Sequence, residues 1–368
     1  MSSEVQGVPI IEAAGSPTAI GAQIGAQIAD RIKATIDLYK EIFAKTDAEI
    51  LQAAAHFRIQ IEGFAPDLAA EIIAMAEAAN VDPGWLFALN ARSELLSALA
   101  VGECTSLHFS GTPYMGQNWD WLEPLEDLMV LQRITDAQGH ATLMLTEPGI
   151  VGKIGLNDAG IGVCLNFLPS TNPTLGVPTH VLLRQLLSAR TWEDVGGILE
   201  TAGTGRSANI LIASAKGLAM DIEFDGLSAC NHGAETTATL HTNHYLTSDI
   251  PVAEVLFENS DARLSQARAL LHGEDSRSLD RLKAILSDRS NEDHPILAPY
   301  REVPSFRGML GTDCSIAMDL ARGEMHFRRG NKPDTGFEVV PVLKKNALTL
   351  SRRGGRTGWV ARQAERPS

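Results

Sequence analysis

From residue 16 onward, apolar side chains recur at helical spacing. Ser16-Pro17 has the form of a helix start, an N-cap residue followed by proline at the first helical position. Ile20, Ile24, Ile28, Ile32 and Ile36 then draw one stripe down a long helix. Gly21 and Gly25 lie one turn apart on it. They weaken the helix but permit a close helical neighbour. A second helix fits Leu68 to Ala79, and a third starts at Asp82-Pro83 and carries Trp85, Leu86, Leu89, Leu95 and Leu96. The first hundred residues are therefore expected to form a helical layer with nothing catalytic in it.

At Gly102 the period changes. CTSLHF, SGTP and YMGQNWDW read as strand, turn and strand, and LMVLQRITD, AQGH and ATLMLTE repeat the shape. GIVGKIGL, NDAG and IGVCLNFL form a third hairpin pattern. In its last strand Cys164 and Asn166 share the face opposite Ile161, Val163, Leu165 and Phe167. A helical block, THVLLRQLLSARTWEDVGGILETA, follows. SANILIAS-AKG-LAMDIEF is another hairpin and TATLHTNHYL another strand; Asp261 to Leu271 and Leu279 to Leu286 are helical, and DCSIAMDL-ARG-EMHFRRG closes the pattern. Many hairpins with helical blocks between them predict an α+β fold, antiparallel sheets covered by helices, in one structural domain.

Composition narrows the function. The 368 residues carry a formal net charge of −14, a surface that repels phosphate backbones, so nucleic acid is not an expected partner. No segment approaches eighteen uninterrupted apolar residues, so no membrane span is expected. The start, MSSEVQGVPIIEAAG, has neither a basic region nor a long apolar one, which points to the cytoplasm. The locally basic run SRRGGRTGWVARQAERPS reads as a loose tail.

Four cysteines, Cys104, Cys164, Cys230 and Cys314, are widely spaced, with no C-x-x-C pair, so neither a metal site nor a cofactor is expected. A reduced cysteine is ordinarily a small buried hydrophobe. Cys104 differs in place: it opens the first strand after the helices, directly behind Val-Gly-Glu. A thiol there can attack the carbonyl of Glu103, its own preceding residue. Water then frees an α-amino group whose ordinary pKa, about 7.7–8.0, suits a general base. By position alone, the buried-hydrophobe and nucleophile readings both stay open.

The stretch GECTSLHFSGTPYMGQNWDW, Gly102 to Trp121, resembles the acyl-CoA:6-aminopenicillanate (isopenicillin N) acyltransferase family, peptidase family C45. GSPTAIGAQIG, LNARSEL, GIVGKIGLNDAGIGV, GVPTHVLLR, HTNHYL and RGMLGTDCSIAMDL also look like family blocks in the same order, so the likeness covers roughly residues 15 to 335. The resemblance implies an N-terminal-nucleophile (Ntn) αββα sandwich. It also implies a precursor that cuts itself between Glu103 and Cys104 into chains 1–103 and 104–368. By the same resemblance Cys104 is the nucleophile, Asp120 an orienting acid, Asn243 the oxyanion-hole amide and Arg307 a cation near the thiol. Thr105, Asn118 and Asn166 are candidates for the pocket. Glu103 stands where fungal members have glycine before the cysteine. Each assignment has a plainer alternative: Asp120 a structural partner of Arg307, Asn243 a cap, Arg307 a surface charge. His241 and His244 are expected to be structural.

Three readings follow. The first is a cysteine amidohydrolase acting on a small N-acyl or peptide-like amide through an acyl-Cys104 thioester. The second is an N-acyltransferase using acyl-CoA as partner. The third is a non-catalytic binding protein of the same fold. The sequence carries no dedicated CoA motif and leaves the oligomeric state open.

Overall fold

The computed structural model describes residues 3–97, 104–233, 236–247, 258–271, 277–302 and 308–344. The chain does not begin with a helix. A hairpin, β1 (Ser3–Val5) and β2 (Val8–Gly15), comes first. The helical layer follows: α1 (Pro17–Phe43), α2 (Asp47–Phe64), α3 (Pro66–Ala79), α4 (Pro83–Asn90) and the single turn α5 (Arg92–Leu95). Ser16 caps α1 by accepting from Ala19 N at 3.3 Å. Its five-isoleucine stripe is buried throughout. Each such side chain is worth about 1.5–3 kcal/mol relative to exposure. α2, absent from the expected elements, begins in a capping box in which Thr46 and Glu49 each satisfy the other's backbone N–H. The expected third helix is two, because the chain turns at Ala91, whose N–H is shared between the Phe87 and Ala88 carbonyls.

Gly21 and Gly25 do what their spacing suggests. A Cβ placed on Gly21 would lie 2.1 Å from the Glu71 carbonyl oxygen, and one on Gly25 2.3 Å from that of Met75. α1 and α3 thus pack backbone against backbone.

The rest of the chain runs β3 (Thr105–Phe109), β4 (Tyr114–Leu122), α6 (Pro124–Leu128), β5 (Val130–Asp136), β6 (Ala141–Thr146), β7 (Ile154–Asn157) and β8 (Ile161–Phe167). Then come α7 (Thr179–Leu186), α8 (Trp192–Ala202), β9 (Ser207–Ser214), β10 (Ala219–Asp225), β11 (Ala229–Asn231) and β12 (Ala238–His241). The last elements are α9 (Glu258–Leu271), α10 (Leu279–Ile285), β13 (Arg301–Glu302), β14 (Met309–Asp319), β15 (Glu324–Arg329) and β16 (Glu338–Pro341). The expected strand GIVGKIGL begins only at Ile154. The preceding turn is pinned by Asn90, which donates to Gly149 O at 2.9 Å and accepts from Val151 N at 2.9 Å.

Among the described residues the strands form two sheets, one of nine in the order β1-β2-β5-β6-β7-β8-β9-β10-β11, one of seven built on β12-β3-β4-β14-β15-β16 with β13 on β14. Pairing is antiparallel except between β2 and β5, which run parallel. That exception ties the N-terminal strand into the larger sheet, so the N-terminal segment is not helical alone. α1 covers β2 and β5, and α7 covers β8; on the other side α9 covers β12 and α10 covers β4 and β14. The layers are therefore α, β, β, α. The two sheets meet through polar ties as well as apolar ones. Leu165 N donates to Gln117 Oε1 at 2.8 Å, and Gln117 Nε2 donates to Leu165 O.

Gly25→Ala is expected to destabilise the protein by about 1–3 kcal/mol, because the new Cβ meets backbone that cannot give way. Gly196→Ala in α8, where a Cβ meets nothing within 4 Å, should instead gain roughly 0.5–1 kcal/mol from helix propensity. Urea midpoints of the two variants against the parent test the contrast.

Candidate active site

Cys104 precedes β3 and is buried. Its Sγ sits 3.9 Å from the Asp120 carbonyl oxygen on β4. Thr105 pairs with Asn118 across that ladder, which sets Cys104 beside Trp119. β4 is in turn bonded to β14, and the register slips between Thr312 and Cys314, leaving Asp313 as a bulge opposite Asp120 and Trp119. Such bulges re-aim side chains beside sites. Arg92, Ser93, Cys104, Trp119, Asp120, Trp121, Lys153, Leu165 and Phe167 line one small cavity. The helical layer therefore contributes to the site, contrary to expectation, through Arg92 and Ser93.

The backbone of Cys104 is clamped. Its carbonyl oxygen accepts from Arg263 Nη1 at 2.7 Å and from Asn166 Nδ2 at 3.2 Å. Asn166 also donates to His241 O at 3.3 Å and accepts from Ser106 Oγ at 2.6 Å, so one amide of β8 binds β3 and β12 in the opposite sheet. Arg263 Nη1 donates to Thr105 Oγ1 at 2.8 Å, and Nη2 to Asn243 Oδ1 at 3.0 Å. Asn243 donates through Nδ2 to Phe167 O at 3.0 Å.

Cys104, Thr105, Asp120, Asn166 and Asn243 are thus brought together. Asn118 is not; it donates to the Leu286 and Ile296 carbonyls at 3.0 and 2.8 Å, tying α10 and the loop after it to β4. Glu103 and Arg307, as well as the basic tail after residue 350, lie outside the described residues. A cation observed at Cys104 is Arg263, which sequence reading missed. Its sequence context, a polar helix with little apolar periodicity, offers no motif to single it out. His241 accommodates both ring nitrogens, Nδ1 on Thr242 O at 2.8 Å and Nε2 on Glu223 Oε1 at 2.8 Å. Burial lowers its pKa, but Asp221 and Glu223 outweigh burial and raise it. Its ring ties β12 to Glu223 of β10.

Burial, reinforced by the Asp120 charge, pushes the Cys104 thiol up to about 11 against the pull of Lys153 and Arg263. In the uncleaved chain it is a thiol at neutral pH. Beside it lies a buried ionic knot. Glu147 accepts from Arg92 Nη2 at 2.7 Å, from Tyr39 OH at 2.5 Å, and from Lys153 Nζ. Trp121 Nε1 donates to Tyr39 OH at 3.0 Å, and Lys153 Nζ stands 3.4 Å from the Trp119 ring centre. Burial raises the Glu147 carboxyl, but Arg92 and Lys153 overcome it and hold it well below the carboxylate range. Among the described residues no group of His, Cys, Asp or Glu is arranged to hold a metal ion.

At the bulge, Tyr300 OH lies 2.8 Å from Asp313 Oδ1 and 2.7 Å from Glu126 Oε2. One hydroxyl hydrogen cannot serve two ionised carboxylates, so one carboxyl carries a proton. Burial holds the Asp313 proton well above the ordinary range.

Two outcomes follow. Glu147→Gln should cost about 3–5 kcal/mol at pH 7, because it strands Arg92 and Lys153 without their anion. Glu147 has a depressed folded pKa, so its contribution is full above its ordinary value of 4.5 and fades as pH falls below it. The acid limb of a stability–pH curve should flatten in the variant. Asp313 has a raised folded pKa, so its contribution is full below its ordinary 3.8 and is lost as pH rises. Asp313→Asn, which mimics the protonated acid, should keep stability near neutrality and flatten that alkaline decline in chemical denaturation.

With this geometry in place, the chain can be set beside known proteins. It is 29% identical over 343 residues to the acyl-coenzyme A:6-aminopenicillanic-acid-acyltransferase 40 kDa form of Emericella nidulans, covering 89% of this chain and 94% of that one. Among solved structures, a conjugated bile acid hydrolase variant from Clostridium perfringens matches with a TM-score of 0.47 at 13% identity, over 66% of this chain and 94% of that one. The Caenorhabditis elegans ortholog of N-acylethanolamine-hydrolyzing acid amidase matches at 0.43 and 15%, over 65% and 100%. A family model matches residues 108–333, more than half of the chain, starting just after Cys104 and taking in Asp120, Asn166, Asn243 and Arg263. The chain belongs to the acyl-coenzyme A:6-aminopenicillanic acid acyl-transferase family.

Proposed function

We propose that this enzyme is a self-processing cysteine amidohydrolase that opens the amide bond of a small N-acyl or peptide-like substrate through an acyl-Cys104 thioester. The observation that carries the reading is Cys104 at the head of a strand, lining a cavity, with its carbonyl clamped by Arg263, which also holds the Asn243 amide.

In the first step the Cys104 thiol adds to the Glu103 carbonyl. The thiol proton passes to the Cys104 nitrogen as the C–N bond breaks, and an ester of sulfur forms. Water hydrolyses that thioester, leaving a carboxylate on residue 103 and an α-amine on Cys104. The amine then takes the thiol proton for each turnover. Sulfur attacks the substrate carbonyl, and the oxyanion is met by Asn243 Nδ2, which spends one hydrogen on Phe167 O and offers the other. The leaving amine departs with the proton, and water releases the acid.

Acyl transfer is the second reading, favoured by the acyltransferase named as a relative. Both readings use the same residues. They differ in what reaches the thioester: water at about 55 M, or an amine held in place with water excluded. The cavity described beside Cys104 has little room, about 20 Å³. The sequence carries no dedicated CoA motif, and hydrolysis is the main activity proposed. The four free cysteines accord with a reducing, cytoplasmic setting.

Intact mass should show two chains, residues 1–103 and 104–368, for the parent and a single chain for Cys104→Ala. An active parent that remains uncut after prolonged incubation would sink the amine-as-base mechanism. Product analysis with a panel of N-acyl amides, with and without acyl-CoA and free amine, ranks the two readings. Amide formation that depends on acyl-CoA, with negligible acid release, would promote the transferase.

A further inference from the structure

Arg263 is fully buried, yet it is not a member of the Glu147 knot. Its guanidinium meets four acceptors from three parts of the chain. Nε donates to Asn259 Oδ1 at 2.8 Å, one turn back on α9. Nη1 donates to Cys104 O and Thr105 Oγ1, and Nη2 to Asn243 Oδ1. A planar fork with fixed donor directions is suited to this; an ammonium is not.

The consequence for Asn243 is one of orientation. A side-chain amide can be turned by half a rotation, exchanging oxygen and nitrogen. Against Arg263 only the oxygen fits, because the flipped amide would oppose donor to donor. Nδ2 is thereby directed to Phe167 O, and Phe167 lines the cavity that holds Cys104. The same helix grips the neighbouring backbone. Asn243 N donates to Ser260 Oγ at 2.8 Å, and Thr242 Oγ1 donates to Ser260 O at 3.0 Å.

The consequence for Cys104 is one of anchorage. A newly made chain end frays unless it is tied down. Arg263 and Asn166 both hold the carbonyl of Cys104, so that hold does not depend on Arg263 alone.

We propose that Arg263 is the positioning residue of the oxyanion hole, one guanidinium that fixes the distance and orientation between the nucleophile's backbone and the Asn243 amide. The proposal rests on Cys104 as nucleophile and Asn243 as oxyanion donor. A residue in this role acts on the transition state more than on substrate affinity.

The test uses Arg263→Lys, Arg263→Gln, Asn243→Ala and the double variant Arg263→Lys/Asn243→Ala in the full chain. Self-cleavage is followed by intact mass, and turnover with N-acyl p-nitroanilides. Arg263→Lys keeps the charge and loses the fork, so it is expected to remain folded by circular dichroism and to lower kcat about 10²-fold or more, with KM within about threefold. Since both residues act through one amide, the double variant should be no more than about threefold slower than Asn243→Ala. Wild-type kcat in folded Arg263→Lys and Arg263→Gln overturns the proposal. So does a change confined to KM, or effects that multiply in the double variant. If Arg263→Gln unfolds, the double-variant comparison in the lysine background still decides. Iodoacetamide labelling separates the two levels. A folded Arg263→Lys that cuts itself, labels at Cys104 and turns over normally removes Arg263 and leaves the nucleophile reading standing. Activity that survives Cys104→Ala removes both.

Discussion

The two sheets are held in register by side-chain amides that behave as pieces of strand. Gln117 of β4 gives and takes a hydrogen bond with the backbone of Leu165, as a paired strand residue would. Asn166, the next residue of β8, then reaches Cys104 O at the head of β3 and His241 O on β12 in the facing sheet. Purely apolar sheets can slide with little loss, because dispersion has no direction. These amides cannot slide without stranding buried polar groups, each at about 1–3 kcal/mol. The position of Cys104 relative to both sheets is therefore fixed by a few polar contacts inside an otherwise aliphatic core.

What the sequence made legible is what depends on local period. The α1 stripe, the Ser16 cap, the Gly21–Gly25 approach and most hairpins are local properties, and they stand where their patterns put them. What failed is what depends on distant partners. β2 falls within the hundred residues expected to be a helical layer, and only its pairing with β5, more than a hundred residues on, makes it part of a sheet. Gly149 to Lys153 has strand composition, but Asn90 bends it into a turn. The site divides in the same way. Cys104, Asp120 and Asn243 sit in strings that resemble a family. Arg92 and Lys153 also sit in such strings but, like Glu147 and Arg263, carry no role there and become distinctive only when buried beside a thiol. Asn118 belongs to the same string as Asp120, yet its amide is spent on the carbonyls of Leu286 and Ile296, toward α10.

The N-terminal layer is bound into the site by charge as well as by packing. Tyr39 of α1 and Arg92 of α5 both donate to Glu147, and Trp121 of β4 donates to that tyrosine. α1 also lies on β2 and β5. Cutting the bond before Cys104, as proposed, severs one covalent link and none of these contacts. Separation of the two chains would expose the isoleucine stripe and leave a buried carboxylate without its guanidinium. The free energy opposing that far exceeds what one peptide bond supplies in effective concentration. The cleaved enzyme is thus expected to remain one folded body, with the first chain still walling the cavity through Arg92 and Ser93.

The electrostatics around Cys104 would give the proposed self-cleavage a second meaning. With its thiol pushed up to about 11, Cys104 has few thiolates to offer at neutral pH. The groups pulling the other way, Lys153 and Arg263, are each committed to acceptors of their own. Lowering the barrier further requires a new base or a new positive charge at the sulfur, and the cavity walls contain no untethered candidate among the described residues. Hydrolysis of the bond before Cys104 creates both in one group. The released amine is the nearest possible neighbour of the thiol, on the same residue, and in its protonated form it favours the thiolate. An acidic neighbour such as Asp120, which disfavours thiolate in the uncut chain, would then face that ammonium instead. On the proposed mechanism, the same carboxylate that disfavours thiolate before the cut would become an orienting partner for the amine base after it.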